Sequence, residues 1–291
     1  MARPLRRSDV GSGPRPLSVT ISTTSPESTD NETRTWLALA CRAAFERASR
    51  SAATTCSATS SEIVLSIGGC LLILLDAAKL DRAKPYMPAL ANLVLLGALI
   101  PVITLAVDGT TRVLFDGSYV VDPMALLLKA MFLVSGYVVI LLSTNYVAEG
   151  DYWESEYYSL LTTAILGMLV MASARDLLVI FVALELLSIP AYMLAAWRKG
   201  DEKSNEAGLK YYLMGVFASA VLLYGMSLAF GVGRSTRLDV IAANLDRLPD
   251  SGVPVVTVAI LFVVIGFARK VSPVPFHTWA PDTYEGAPTP V

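Results

Sequence analysis

The sequence predicts an all-α integral membrane protein of about seven transmembrane helices, the seventh of them discontinuous. Three observations carry that reading. Hydrophobic residues fill 54% of the 291 positions and charged residues only 16%, against about a quarter in soluble domains, and mean hydropathy is +0.55. From residue 61 onward, apolar runs long enough to cross a hydrocarbon core of about 30 Å alternate with short polar loops. The runs lack the in-out alternation of barrel strands, and in lipid only a helix pairs every backbone group within its own segment.

The chain divides at about residue 60. Residues 1–60 hold eight arginines, no lysine and five acids among many Ser and Thr, the composition of a mitochondrial transit peptide. Residues 34–50 can form a basic amphipathic helix, with Trp36, Leu37, Ala40, Ala44 and Phe45 set against Arg42, Arg47 and Arg50. A retained N-terminal arm is the alternative. Residues 61–291 form the transmembrane domain, with spans expected at 61–80, 89–107, 122–144, 157–174, 176–198, 205–231 and 254–271. On the sixth, Gly208, Gly215, Ala218 and Ser219 read as packing residues that let helices approach. In the loop 232–253, Leu238, Ile241, Leu245 and Leu248 have the spacing of a short amphipathic surface helix. Lys and Arg divide almost evenly between the loops of the two sides, so charge leaves the orientation open.

Composition also excludes function classes. A net charge of −2 leaves no basic surplus for nucleic-acid phosphates, so no nucleic-acid partner is expected. Cys41, Cys56 and Cys70 have no CxxC spacing and a single histidine, His277, for company, which argues against a metal or iron–sulfur site. Gly231-Val232-Gly233 lacks the third glycine of a dinucleotide turn and follows a helix. No cofactor in this chain itself is expected.

The chemistry should lie in charges at membrane depth. Glu185 falls about 13 Å into the fifth span at 1.5 Å per residue. An unpaired carboxylate there costs at least about 2.5 kcal/mol, so it should be protonated, hydrated or paired with a lysine. Pro190, five residues on, removes a backbone donor and should kink the helix, freeing carbonyls to order water. Lys210 follows Glu206 by one turn and sits one or two turns inside the sixth span, where it could snorkel. Lys270 ends the seventh span, and Pro273 and Pro275 should break that helix beside it; a break at membrane depth survives in protein or at a wet cavity. Burial lowers a lysine's proton affinity and a nearby carboxylate restores it, so mixed Glu and Lys can load and unload a proton. A fixed Glu185–Lys210 ion pair fastening two helices is the plainer reading. Lys129, about 10 Å into the third span, reads equally as structural or as a possible proton-path residue. His277, two residues after Pro275, is a candidate relay through its two ring nitrogens.

Residues 270–291, KVSPVPFHTWAPDTYEGAPTPV, resemble the signature of antiporter-like subunits of NADH:quinone oxidoreductase (respiratory complex I), specifically the N-type, subunit 2. Asp282-Thr283-Tyr284-Glu285-Gly286 favours subunit 2 over its relatives, and Phe276 stands where plastid forms tend to have Ser. DLLVIFVALELLSIPAYMLAAW from Asp176 is similar to that subunit's fifth helix, and EAGLKYYLMGVFASA from Glu206 to its sixth. The resemblance implies that Glu185, Lys210, Lys270 and His277 line a proton half-channel, within a bundle of about fourteen helices built as two inverted repeats. It further implies membrane-arm partner subunits, membrane lipids, and FMN, iron–sulfur clusters and ubiquinone held by the partners. This sequence corresponds to helices one to seven and the start of the eighth, so a second polypeptide completing the bundle is expected. With the leader, that places the protein in the mitochondrial inner membrane rather than a bacterial plasma membrane. A multi-component cation/proton antiporter subunit and a transport-inactive scaffold remain alternatives.

Overall fold

The computed structural model describes residues 42, 46, 49, 52–78, 84–149, 154–245, 249 and 252–291. The chain forms two units, Met1–Ala52 and Ala53–Val291. In the first, Arg42, Glu46 and Ser49 are helical, and Arg42 Nε lies 3.4 Å from Glu46 Oε1 one turn on. The rest of the amphipathic helix expected at 34–50 lies outside the described residues.

The second unit is helical almost throughout. A short helix α1 (Ala52–Ala58) bends by 66° into α2, which spans Ser60–Ala77, and α3 follows at Met87–Asp108. After a hairpin come α4 (Pro123–Glu149), α5 (Glu154–Ser173), α6 (Leu177–Ala195), α7 (Glu202–Gly233), α8 (Leu238–Leu245), α9 (Val253–Val271) and α10 (Ala280–Gly286). Among the described residues, six helices are long and apolar enough to cross a membrane, or seven when the bent α1/α2 pair counts as one, in agreement with the spans read from sequence. The expected surface helix at Leu238, Ile241 and Leu245 is α8, with Ile241 buried; Leu248 lies outside the described residues.

One apolar core joins α2, α3, α4 and α5 through Leu72, Leu95, Ile140, Ile165 and Leu169. A second joins α6, α7 and α8 through Leu177, Leu184, Leu222, Met226 and Ile241. Large apolar side chains such as Leu74 and Phe217 remain exposed, which lipid tails satisfy at no cost. Small residues set the closest approaches. A Cβ on Gly225 of α7 would meet Val263 N at 2.8 Å and Ala259 O at 2.9 Å, both backbone atoms of α9. On Gly167 of α5 it would meet Leu187 N of α6 at 2.6 Å.

The structure departs from the sequence reading in one place. Strands β1 (Arg112–Leu114) and β2 (Tyr119–Val121) form an antiparallel hairpin between α3 and α4. Three residues per strand are too few to show alternation, and the turn places Asp116 and Gly117 at positive φ. Tyr119 bridges Ala174, and Asp176 bridges Arg237, so the loops at this end of the bundle join one hydrogen-bonded layer, including Arg175 N donating to Ser118 O at 2.9 Å. Helix α6 runs without a break through Pro190 to Ala195.

At Pro273 and Pro275 the expected break is present. Helix α9 stops at Val271 with Ser272 in a left-handed cap, and the chain runs in turns until α10. Its depth follows from packing. Gly266 of α9 abuts Leu222 of α7, so Lys270, one turn further, faces the middle of α7, a 32-residue helix about 48 Å long. The chain then returns toward the start of α7, where a Cβ on Gly286 would meet Lys203 O at 2.5 Å. Helix α9 therefore ends halfway across the bundle.

Candidate functional site

Where α9 ends, two of the predicted charges meet. Lys270 Nζ lies 3.3 Å from Glu185 Oε1, donates to Ser188 Oγ at 2.6 Å and reaches the Tyr192 hydroxyl at 3.5 Å. Ser219 Oγ of α7 donates to Glu185 Oε1 at 2.6 Å. The two charged side chains are 15% and 22% exposed. The geometry is set by helical periodicity: Glu185, Ser188 and Tyr192 stand at i, i+3 and i+7 on α6, one face of the helix. A carboxylate or an ammonium alone at this depth is costly, and a pair supplied with hydroxyl partners offsets that cost. Chemically, a proton can pass from an ammonium to a carboxylate at this separation, and three hydroxyls are placed to carry or stabilise it.

Lys210 is elsewhere. Its Nζ lies 2.6 Å from Glu206 and 2.7 Å from Asp282, and its side chain is 44% exposed. The Glu185–Lys210 ion pair considered from sequence does not form: Glu185 takes Lys270 instead, because the end of α9 brings that lysine to mid-depth while Lys210 sits only eight residues into α7. Lys203, Glu206, Lys210, Asp282 and Glu285 line a cavity of about 130 Å³ at the bundle's end. Lys270 itself lines a separate space of about 20 Å³ with Tyr192, Tyr211, Arg269 and Trp279, room for about one water. Tyr211 and Trp279 stack across it, 4.6 Å between centroids and 7° apart.

The remaining predicted residues are dispersed. His277 is exposed in the segment after α9; its carbonyl accepts from Ala280 N at 3.0 Å. Lys129 is buried against Glu62 of α2, with Nζ 2.7 Å from Oε1, and belongs to a separate cluster. Sequence reasoning missed Ser188 and Tyr192, whose spacing from Glu185 on one helix face was the available signal. It also took Ser219 for a packing residue, and it donates to Glu185. Arg269 was passed over too. Its guanidinium donates to Phe276 O at 3.3 Å and lies 5.2 Å from the Trp279 ring centre, while Trp279 Nε1 donates to Arg269 O at 3.2 Å. These bonds replace some of the helix pairing lost at the break.

The family described as NADH:quinone oxidoreductase/Mrp antiporter, transmembrane, matches residues 174–291, the part that holds Glu185, Lys210 and Lys270. NADH-quinone oxidoreductase subunit N of Trichlorobacter lovleyi is 36% identical over 230 residues, 79% of this chain and 47% of that protein. Its counterpart in Heliobacterium modesticaldum is 42% identical over 219 residues, 75% and 45% of the two chains. The chain thus spans about half the length of the curated relatives it matches. Among solved structures, a chain of respiratory complex I from Thermus thermophilus superposes with a TM-score of 0.64 at 32% identity, covering 79% of this chain and 48% of that one. A chain of an archaeal membrane-bound sulfane sulfur reductase shares the fold, with a TM-score of 0.68 at 23% identity over 80% and 48%. The multi-pass bundle, its broken α9 and the matched sequence lead to one conclusion: residues 174–291 belong to the NADH:quinone oxidoreductase/Mrp antiporter family, and the chain is similar to about half of a subunit N.

Proposed function

We propose that this chain is a proton-translocating membrane-arm subunit of NADH:quinone oxidoreductase, contributing one half-channel to a complex that couples electron transfer from NADH to quinone with proton pumping. The observation that carries the proposal is the Glu185–Lys270 pair at the end of a helix broken in mid-bundle, ringed by Ser188, Tyr192 and Ser219. Such breaks are where transporters place their ion sites. The charged cavity around Lys210 is the entrance, and the space beside Tyr211 and Trp279 joins it to Lys270. His277 lies on the segment that carries the break and takes the role of a relay at its surface.

In this reading FMN, iron–sulfur clusters and ubiquinone belong to partner subunits, and this chain carries no redox chemistry. Its partners are further membrane-arm subunits and lipids. The arginine-rich first sixty residues support a mitochondrial inner membrane, whereas the relatives named above come from bacteria and support a plasma membrane. Fractionation of tagged protein distinguishes the two.

The decisive experiment replaces Lys270 by Ala in the assembled complex. Removing the cation from a site that functions only by exchanging a proton abolishes coupled pumping, read as the proton-to-electron ratio so that any loss of subunit content is normalised out. A normal proton-to-electron ratio in K270A overturns the assignment. A multi-component cation/proton antiporter is the second reading, favoured by the family's shared membership; sodium-dependent proton exchange from a purified assembly free of flavin would establish it.

A further inference from the structure

The bundle holds a second buried ion pair, on the side of the hairpin and away from the end that carries Lys210 and Asp282. Glu62, in the first turn of α2, is 8% exposed; Lys129, two turns into α4, is 1% exposed; Tyr119, on β2, is 6% exposed. Lys129 Nζ lies 2.7 Å from Glu62 Oε1 and donates to the Tyr119 hydroxyl at 3.0 Å. That hydroxyl donates to Glu62 Oε1 at 2.7 Å, and Ser61 Oγ donates to Oε2 at 2.8 Å. The Ser173 hydroxyl, at the end of α5, is fully buried beside Tyr119. On the other elements packed here, Asp108 at the end of α3 is occupied by Arg112, and Asp122 by Arg175.

Two features exceed what a helix fastener requires. Tyr119 closes a triangle with the paired acid and base, accepting from Lys129 and donating to Glu62, so its hydroxyl reports the charge of both. Its own backbone bridges Ala174, two residues before Asp176, whose carboxylate accepts from Leu178 N and caps α6. Helix α6 carries Glu185 nine residues further on.

We propose that Glu62, Tyr119 and Lys129 form a second proton-exchanging site, loaded from water on the hairpin side through Glu62 and coupled to the Glu185 helix through Tyr119. The inference rests on the translocation reading above. On loading, a hydronium ion gives its proton to a Glu62 carboxylate oxygen, an O–H bond forms and water leaves; Lys129 remains an ammonium. The acid no longer attracts Lys129 or accepts as strongly from Tyr119, since neutral hydrogen bonds are about half as strong as charge-assisted ones. The phenol is then released from Glu62 and shifts the Tyr119–Ala174 pairing at the head of α6. Unloading reverses each step. Burial holds Tyr119 protonated well above the usual phenol range, reinforced by Glu62, so the phenol itself stays neutral throughout.

The test uses the assembled complex in native membranes. Glu62→Gln or Lys129→Met alone leaves a lone buried charge and should lower subunit content. The double variant Glu62→Gln/Lys129→Met removes both charges, which restores assembly because a buried pair and a neutral pair are about equally stable, yet its proton-to-electron ratio should fall by about twofold or more. A wild-type ratio in the double variant overturns the proposal and leaves a structural clamp. Infrared difference spectra on quinone reduction supply the second readout: a carboxylic acid carbonyl band should appear in wild type, vanish in Glu62→Gln and shift in Tyr119→Phe, which keeps both charges. A band unaffected by both substitutions also overturns it. Lys270→Ala is run alongside: normal pumping there refutes the translocation reading itself, whereas lost pumping there with normal pumping in the double variant refutes only the second site.

Discussion

At the scale of single residues, depth and partnership govern what each charge can do. Lys270 and Glu185 are both largely withdrawn from solvent, with Ser188 and Tyr192 accepting from the lysine and Ser219 donating to the acid, whereas Lys210 satisfies itself with two carboxylates at the bundle's end. The two lysines therefore differ in how strongly substitution should act. Tyr119 allows a pH prediction of defined sign. Its folded-state proton affinity is raised from the ordinary value of 10.0 by burial first and by the Glu62 charge second. Below pH 10 the folded and unfolded chains both hold the phenol proton, and its contribution is constant. Above pH 10 the unfolded chain releases the proton while the folded chain keeps it, so stability falls as pH rises. Thermal unfolding of the purified protein between pH 8 and 11 should show a decline above 10 that is shallower in Tyr119→Phe; parallel curves would contradict the assignment.

At the scale of elements, close helix approach decides the site. Helices α7 and α9 meet at Gly225, where an added Cβ would strike backbone atoms of α9, and backbone cannot rotate away as a side chain can. Gly225→Val should push α9 outward, cost about 1–3 kcal/mol as other overpacked sites do, and lengthen the Lys270–Glu185 contact. The expected outcome is a lowered melting temperature together with impaired pumping. An unchanged melting temperature would mean that the two helices are not packed as described. Gly231, by contrast, has nothing within 4 Å of a Cβ, and Gly231→Ala serves as the control.

At the scale of the whole molecule, the helices alternate in direction and their loops fall into two sets. Lys199, Lys203 and Asp282 lie at one end; Asp116, Arg234 and Asp239 lie at the other, with the hairpin layer. Single cysteines placed at Lys199 and Asp282 should react with a membrane-impermeant maleimide from the same side of sealed vesicles, and those at Asp116 and Arg234 only from the opposite side. Labelling of Lys199→Cys and Arg234→Cys from one side would refute the topology. The same experiment supplies the orientation that the even distribution of loop charges withholds.

Much of the fold was legible in the sequence because hydrophobic length is a local property. The spans at 89–107 and 254–271 emerge as α3 and α9 within two residues, since lipid leaves an apolar run of that length one way to pair its backbone. The helix break was equally legible, because proline acts through its own ring and missing donor at Pro273 and Pro275. Glu185 and Lys270 stood out by type and depth alone. Their pairing did not, as it depends on where α9 ends relative to α7, and that is set by glycine contacts between residues more than thirty positions apart. The same holds for Lys129, whose partner Glu62 stands 67 residues earlier. Composition and local chemistry determined which groups must be buried in the membrane, whereas only tertiary packing decided which of them neutralise one another, because charge pairing acts across space between helices and leaves no periodic trace along the chain.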